Sequence, residues 1–251
     1  MLRVFLAGEL CLSSGQLILG ADRFPGRQGR LAFAYLAVER LRPVARDELR
    51  ELLWPDGMPN AVDVSLSAVI SKLRALMFDA GAGRETLATA AGCYELRLPP
   101  GSWIDLEAAA AALHGAEAAL RSNAFADAYG PAVVANAILR RPFLPGDDGG
   151  WIDGRRRRLL DMRLRALDCL ADIHLWNREP TLALKAAEEA LALEPYRESG
   201  HRRLMHIHQA AGNRAESLRV YERLRALLAR DIGTEPDAAT QALYERMAAG
   251  R

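Results

Sequence analysis

SLSAVISKLRALM, Ser65 to Met77, shows the helical period in its plainest form. Leu66, Val69, Ile70, Leu73, Leu76 and Met77 recur at i, i+3, i+4 and i+7, which lines six apolar side chains on one stripe. The other face carries Val64, Ala68, Ser71 and Ala75, with Ser65 and Lys72 on one flank and Ser67 and Arg74 on the other. That face is small, hydroxylic and weakly basic. A plain solvated face and a face shaped to enter a groove both fit it, so the surrounding elements must decide.

Upstream, Leu2, Val4 and Leu6 alternate until Gly8, and CLSSGQLILG places a Ser-Ser-Gly turn between two short apolar pieces, which predicts a small antiparallel sheet. From Gly26 the period changes. GRQGRLAFAYLAVERL predicts a helix stopped by Pro43, and PVARDELRELLWP a shorter one from Arg46 to Leu53 ended by Trp54-Pro55. The loop PDGMPN leads into the opening helix, which the pattern extends over about residues 60–78. Beyond it ETLATA and YELRL, joined at Ala91-Gly92-Cys93, predict a hairpin. A four-piece sheet, three helices and a hairpin in that order describe a winged helix-turn-helix. In that setting the apolar stripe docks the third helix, and small outward residues let its backbone approach base edges.

LPPGSW, Leu98 to Trp103, is the clearest boundary, dividing the chain into domains 1–98 and 103–251. After it the pattern is helical, over roughly 105–121, 124–139 and 151–176, followed by two helix hairpins. A shift of 34 residues lays Leu170 on Leu204, His174 on His208, Ala183 on Ser217, Leu184 on Leu218, Ala187 on Tyr221 and Ala190 on Leu224. That is the period of the tetratricopeptide repeat, in which small residues let helix pairs stack closely. The expected fold is mainly α: an N-terminal winged helix-turn-helix with a small antiparallel sheet and a wing hairpin, then an all-α tetratricopeptide-like helical-repeat domain.

Composition narrows the function by exclusion. Net charge is +1, with 12 Arg and Lys against 11 Asp and Glu in residues 1–100 and 21 of each beyond, so no broad basic field announces a nucleic-acid or membrane partner. Cys11, Cys93 and Cys169 are isolated and suggest neither a zinc site nor a disulfide framework. No signal peptide or long apolar run is legible, and the expected location is the cytoplasm. His114, His174, His201, His206 and His208 contain no i, i+4 pair, and no two of them are joined by a carboxylate or cysteine at ligand spacing. PGDDGG, Pro145 to Gly150, lacks the Lys-Ser/Thr of a phosphate loop and reads as a plain connection. No nucleophile–base arrangement can be proposed, so an enzyme is not expected. The run Arg155 to Arg158 reads as a solvated helical turn or as a contact for phosphate or an acidic partner. Four consecutive helical residues point in four directions and cannot all serve one surface.

LLWPDGMPNAVDVSLSAVISKLRALM, Leu52 to Met77, resembles the second and third helices of the OmpR-like winged-helix domain in Streptomyces-antibiotic-regulatory-protein-like activators, where an L-W-P-D loop precedes a helix bearing V-x-S-R-L-R. Here Val69-Ile70-Ser71-Lys72-Leu73-Arg74 stands at that place. Ile104-Asp105-Leu106, the segment Gly200 to Met247 and the turn Gly233-Thr234-Glu235-Pro236 are similar to the bacterial transcriptional activator domain that accompanies it. The resemblance implies a transcriptional activator that binds double-stranded DNA at promoter repeats and recruits RNA polymerase, with a possible homodimer and no membrane partner. By carry-over, Ser65, Ala68, Ser71, Lys72 and Arg74 would face the major groove or its edges, and Arg46 and Arg50 would meet phosphates. Thr89 would be the wing's contact, and Trp54 to Pro59 the loop near polymerase. The chain closes after this segment, so no nucleotide-hydrolysing extension, nucleotide or other cofactor is expected.

Two departures weaken the expected grip. Family wings carry a basic residue, whereas Leu87 to Tyr94 here carries none, and Lys72 and Ala75 stand where arginine or another cation is common. Fewer phosphate contacts mean weak affinity, or dependence on dimers or tandem sites. The alternative is a protein-interaction module whose winged helix binds DNA weakly or not at all.

Overall fold

The computed structural model describes residues 1–250. By packing, Met1–Ala108 and Arg141–Arg158 form one compact unit, and Ala109–Arg140 with the chain from Leu159 onward forms a second.

In the first unit β1 (Leu2–Phe5), β2 (Cys11–Ser14) and β3 (Leu17–Leu19) make the expected antiparallel sheet. Val4 lies opposite Leu12, and Leu12 opposite Leu19, so the alternation turns all three inward, where they are buried. The expected sheet of four pieces ahead of the helices has only three there, and its fourth strand is β7 (Trp103–Ile104), parallel to β1. It lies past the Leu98–Trp103 boundary, where the pattern predicts only helix, and two residues are too few for alternation to be read.

α1 (Gly26–Val38) buries every residue from Leu31 to Ala37 and ends before the stretch assigned to it up to Leu41. α2 (Arg46–Leu53) has the predicted bounds, and α3 (Val62–Asp79) follows the PDGMPN loop. The wing is β5 (Leu87–Ala90) and β6 (Cys93–Leu96), turning on Ala91 and Gly92 with φ of 49° and 75°. Positive φ at both turn residues matches the twist of a two-residue hairpin, so the loop ends one residue earlier than the sequence suggests. A two-residue strand, β4 (Val44–Ala45), adds to β6.

α2 is fastened to α1 through Glu48, which accepts hydrogen bonds from Arg42 and from the Tyr35 hydroxyl. The Arg42 guanidinium, with the Tyr35 hydrogen bond adding to it, holds the Glu48 carboxyl down at about 2. A depressed carboxyl pKa contributes stability above the unfolded value near 4.5 and loses it as pH falls through about 2. Arg42 is almost half exposed, so screening trims the effect to about 1 kcal/mol. Glu48→Gln should therefore be less stable than wild type by that amount at pH 7, and the difference should shrink below pH 4.5 and vanish only below pH 2 in acid unfolding followed by circular dichroism.

The segment before the longest helix belongs with the sheet. Gly8 N donates to the Pro142 carbonyl at 2.7 Å, and Phe143 packs edge-on against Trp151, which also meets Tyr35. PGDDGG is a connection, yet hardly a plain one. Asp147 is 3% exposed and held by both nitrogens of the Arg30 fork at 2.9 and 3.0 Å. Arg156 donates to the Phe143, Leu144 and Asp147 carbonyls, while Arg157 and Arg158 are exposed. The four-arginine run thus splits by helical direction, as expected, with one member serving the fold.

The helices beyond β7 are α4 (Asp105–Arg121), α5 (Phe125–Leu139), α6 (Gly150–Trp176), α7 (Pro180–Leu193), α8 (Glu198–Ala210), α9 (Arg214–Asp231) and α10 (Ala238–Ala248); α4 and α6 start in the first unit and run on into the second. α6 and α8 end 34 residues apart, as α7 and α9 begin, so the repeat is real structure. Ala183, Ala187 and Ala190 are buried, and a Cβ added to Gly200 of α8 would meet Leu191 of α7 at 2.9 Å, which is why this crossing takes small residues. His174 pairs with Glu179 and packs on Tyr129, whereas His201 bonds the Pro195 carbonyl; both serve packing. Among the described residues no helix is long and apolar enough to cross a membrane.

Candidate nucleic-acid interface

α3 is fixed by its stripe. Leu66, Ile70, Leu73, Leu76 and Met77 are buried, and only Val69 of the six apolar positions is half exposed. The helix packs on α1 and on β5 of the wing, the arrangement that leaves its opposite face outward. On that face Ala68, Ser71 and Lys72 are exposed and Ser65 is half exposed; positions 65, 68 and 72 lie in one line, with 71 beside them. None of these four side chains makes a hydrogen bond or ion pair among the described residues. They form one small surface with a single cation.

The other four candidates are engaged inside the protein. Arg74 turns to the wing, its Nε donating to the Leu87 carbonyl at 2.9 Å and its Nη2 to Thr89 Oγ1 at 2.6 Å. Two expected DNA contacts, Arg74 and Thr89, therefore bond each other and fasten the wing to α3. Arg46 places Nε 2.9 Å from Asp63 Oδ1 and Nη2 3.2 Å from both the Asp63 carbonyl and Ser67 Oγ. Arg50 pairs with Asp63 through Nη2 and with Asp47 through Nη1. Asp63 is thus the shared partner of both arginines expected at phosphates, a role the sequence reading missed. Nothing local signals it, since Asp63 lies 13 and 17 residues from them and on another helix.

Other cations nearby are also committed. Arg97 donates to Glu95, and Arg84 lies over the Phe78 ring at 5.4 Å from its centroid. The wing tip, Ala90 to Gly92, is exposed and neutral. On the loop between α2 and α3, Trp54 is half buried and caps α2, while Met58 is exposed. The loop residues Pro55 and Asp56 are exposed as well.

Comparisons with known proteins bear on both units. The bacterial transcriptional activator domain family matches residues 104–247. The transcriptional regulatory protein EmbR of Mycobacterium tuberculosis is 28% identical over 240 residues, covering 93% of this chain and 61% of that protein. MoaR1 of the same species, also a transcriptional regulatory protein, is 26% identical over 242 residues, 95% of this chain and 76% of its own length. The regulatory protein AfsR of Streptomyces coelicolor is 28% identical over 227 residues, 88% of this chain but 22% of AfsR. The solved structure of M. tuberculosis EmbR in complex with a low-affinity phosphopeptide superposes with a TM-score of 0.89 at 25% identity, over 100% of this chain and 65% of that one. The chain thus spans about three fifths of the length of EmbR. The winged helix followed by a helical domain, expected from the pattern, is the architecture shared with EmbR.

Proposed function

Since the chain belongs to the bacterial transcriptional activator domain family, we propose that it is a cytoplasmic transcription regulator that binds promoter DNA through α3. The observation that carries this reading is the free outward face of α3, where Ala68 and Ser71 admit close approach and Lys72 supplies a donor. Functionally we divide the chain as 1–98, the DNA-binding domain, and 103–251, the activator domain. The exposed turn after Trp54 is the proposed contact for RNA polymerase, and the helical repeats the proposed site of homodimer contact. Binding at tandem sites would offset a single weak module, because linked events add their free energies.

With Arg46, Arg50 and Arg74 drawn inward, affinity rests on few phosphate contacts. The direct test is binding of the chain to DNA upstream of its own gene and of neighbouring operons across a salt series. Binding should weaken as salt rises, with a shallow slope of log affinity against log salt. Lys72→Ala should cost roughly 1–3 kcal/mol and relax sequence preference if Lys72 touches a base, with folding stability changed by no more than about 0.5 kcal/mol for an exposed position. Salt-independent binding, or unchanged preference in both Lys72→Ala and Ser71→Ala, would overturn this reading of α3. The second reading, a protein-interaction module, is favoured by the same inward arginines, and it predicts no duplex binding even at low salt.

A further inference from the structure

Asp63 stands in the first turn of α3, the end of a recognition helix that meets DNA first. An acid there is unfavourable towards phosphate unless it does something else. It is 60% exposed, so it is no buried structural ion, and it faces two guanidinium groups from α2 at once. Arg46 approaches it at 2.9 Å and grips the Asp63 carbonyl and Ser67 beside it. Arg50 spans Asp47 and Asp63 and is 20% exposed. Two cations and two carboxylates cancel, which removes this corner of the domain from any attractive field. A carboxylate presents oxygens to an arginine fork much as a phosphate does. The pairs lie at the surface, where ion pairs are weak enough to be exchanged.

We propose that Asp63 is a built-in competitor for DNA phosphate: in the free protein it occupies Arg46 and Arg50, and binding exchanges its carboxylate for a phosphate of the duplex. This rests on the DNA-binding reading above. Asp63 thereby lowers affinity for every duplex alike and leaves discrimination to Ala68, Ser71 and Lys72. A regulator with few donors gains from that arrangement, because non-specific sites far outnumber specific ones and are held almost wholly by phosphate contacts.

The test compares the whole chain with Asp63→Asn and Asp63→Glu, using a random-sequence duplex and the upstream region of its own gene, each over a salt series. Asp63→Asn keeps shape and removes charge; it should bind the random duplex about tenfold tighter at low salt. Its slope of log affinity against log salt should stay close to that of wild type, since both make the same phosphate contacts once bound and only the cost of displacing the carboxylate is removed. Asp63→Glu should behave like wild type. A mere change of net charge would survive loss of the arginines, so the gain must disappear when Asp63→Asn is placed in an Arg46→Ala, Arg50→Ala background. If it persists there, or if Asp63→Asn binds no tighter while wild type binds with salt dependence, the competitor is overturned and Asp63 only positions α2 against α3. If neither wild type nor Asp63→Asn binds duplex at low salt, the DNA-binding reading fails and takes this inference with it. Thermal melts of each variant separate these outcomes from loss of fold, because an acid in the first turn also favours the helix dipole.

Discussion

Asp105→Ala is expected to destabilise the N-terminal unit by about 3–5 kcal/mol, since removing a buried acceptor leaves each of its donors unpaired at about 1–3 kcal/mol apiece. Asp105 has no solvent exposure and opens α4 immediately after β7. Its carboxylate accepts from Leu6 N at 3.0 Å, Ala7 N at 2.9 Å and Leu106 N at 2.8 Å. Two of those donors follow directly on β1 and one lies in the first turn of α4, so one side chain joins segments 99 residues apart. Alanine would strand three N–H groups around a fully buried position. Asp105→Asn keeps one carbonyl oxygen but turns an amide towards a donor, for an expected loss of about 2 kcal/mol. Burial pushes the Asp105 carboxyl up in spite of its three donors. A raised acid pKa means that the ion carries a cost relieved as pH falls through it, so acid should not release this staple as it releases Glu48. Urea unfolding followed by tryptophan fluorescence measures the loss. A value under 1 kcal/mol would show that water or a shifted backbone satisfies the three amides.

The second large effect lies in α3. Leu73→Ala should cost about 3 kcal/mol, within the range of roughly 2–5 kcal/mol for a fully buried leucine whose cavity only partly collapses. Leu73 has no exposed surface and stands at the centre of the stripe between Leu66 and Met77. DNA affinity should fall with it, because α3 would no longer be held at one angle. The slope of affinity against salt should stay as in wild type, since no phosphate contact is removed. That pairing of effects distinguishes Leu73 from Lys72, whose loss should weaken binding or relax preference while leaving the unfolding midpoint almost unchanged. Stability loss without a change in DNA binding would mean that α3 is not the reading element.

Much of the first domain is legible because its signals are local. α2 runs from Arg46 to Leu53 as its pattern indicates, and five of the six stripe residues of α3 are buried. α4 begins and ends where periodicity puts it, and the 34-residue offset of helix ends follows directly from the sequence period. Each of these needs only neighbours three or four residues away. β4 and β7 have two residues each, so no alternation exists to be seen, and only their partners Tyr94 and Arg3 make them strands. The segment from Arg141 to Gly149 reads as a loop of glycines and acids. Its place in the N-terminal unit depends on Arg30 and Gly8, more than a hundred residues away.

The candidate interface divides on the same line. By itself the sequence determined which residues of α3 face outward, because a helix with one apolar stripe has only one other face to offer. Which charges on that surface remain available was decided by the tertiary structure alone. Arg46, Arg50, Arg74 and Lys72 look alike in sequence, yet the fold brings Asp63 to the first two and the Leu87 carbonyl and Thr89 to the third. Periodicity records which way a side chain points, and it does so locally. The partner of a charge is set by whichever opposite charge or acceptor folding carries within about 3 Å, and that depends on the whole chain.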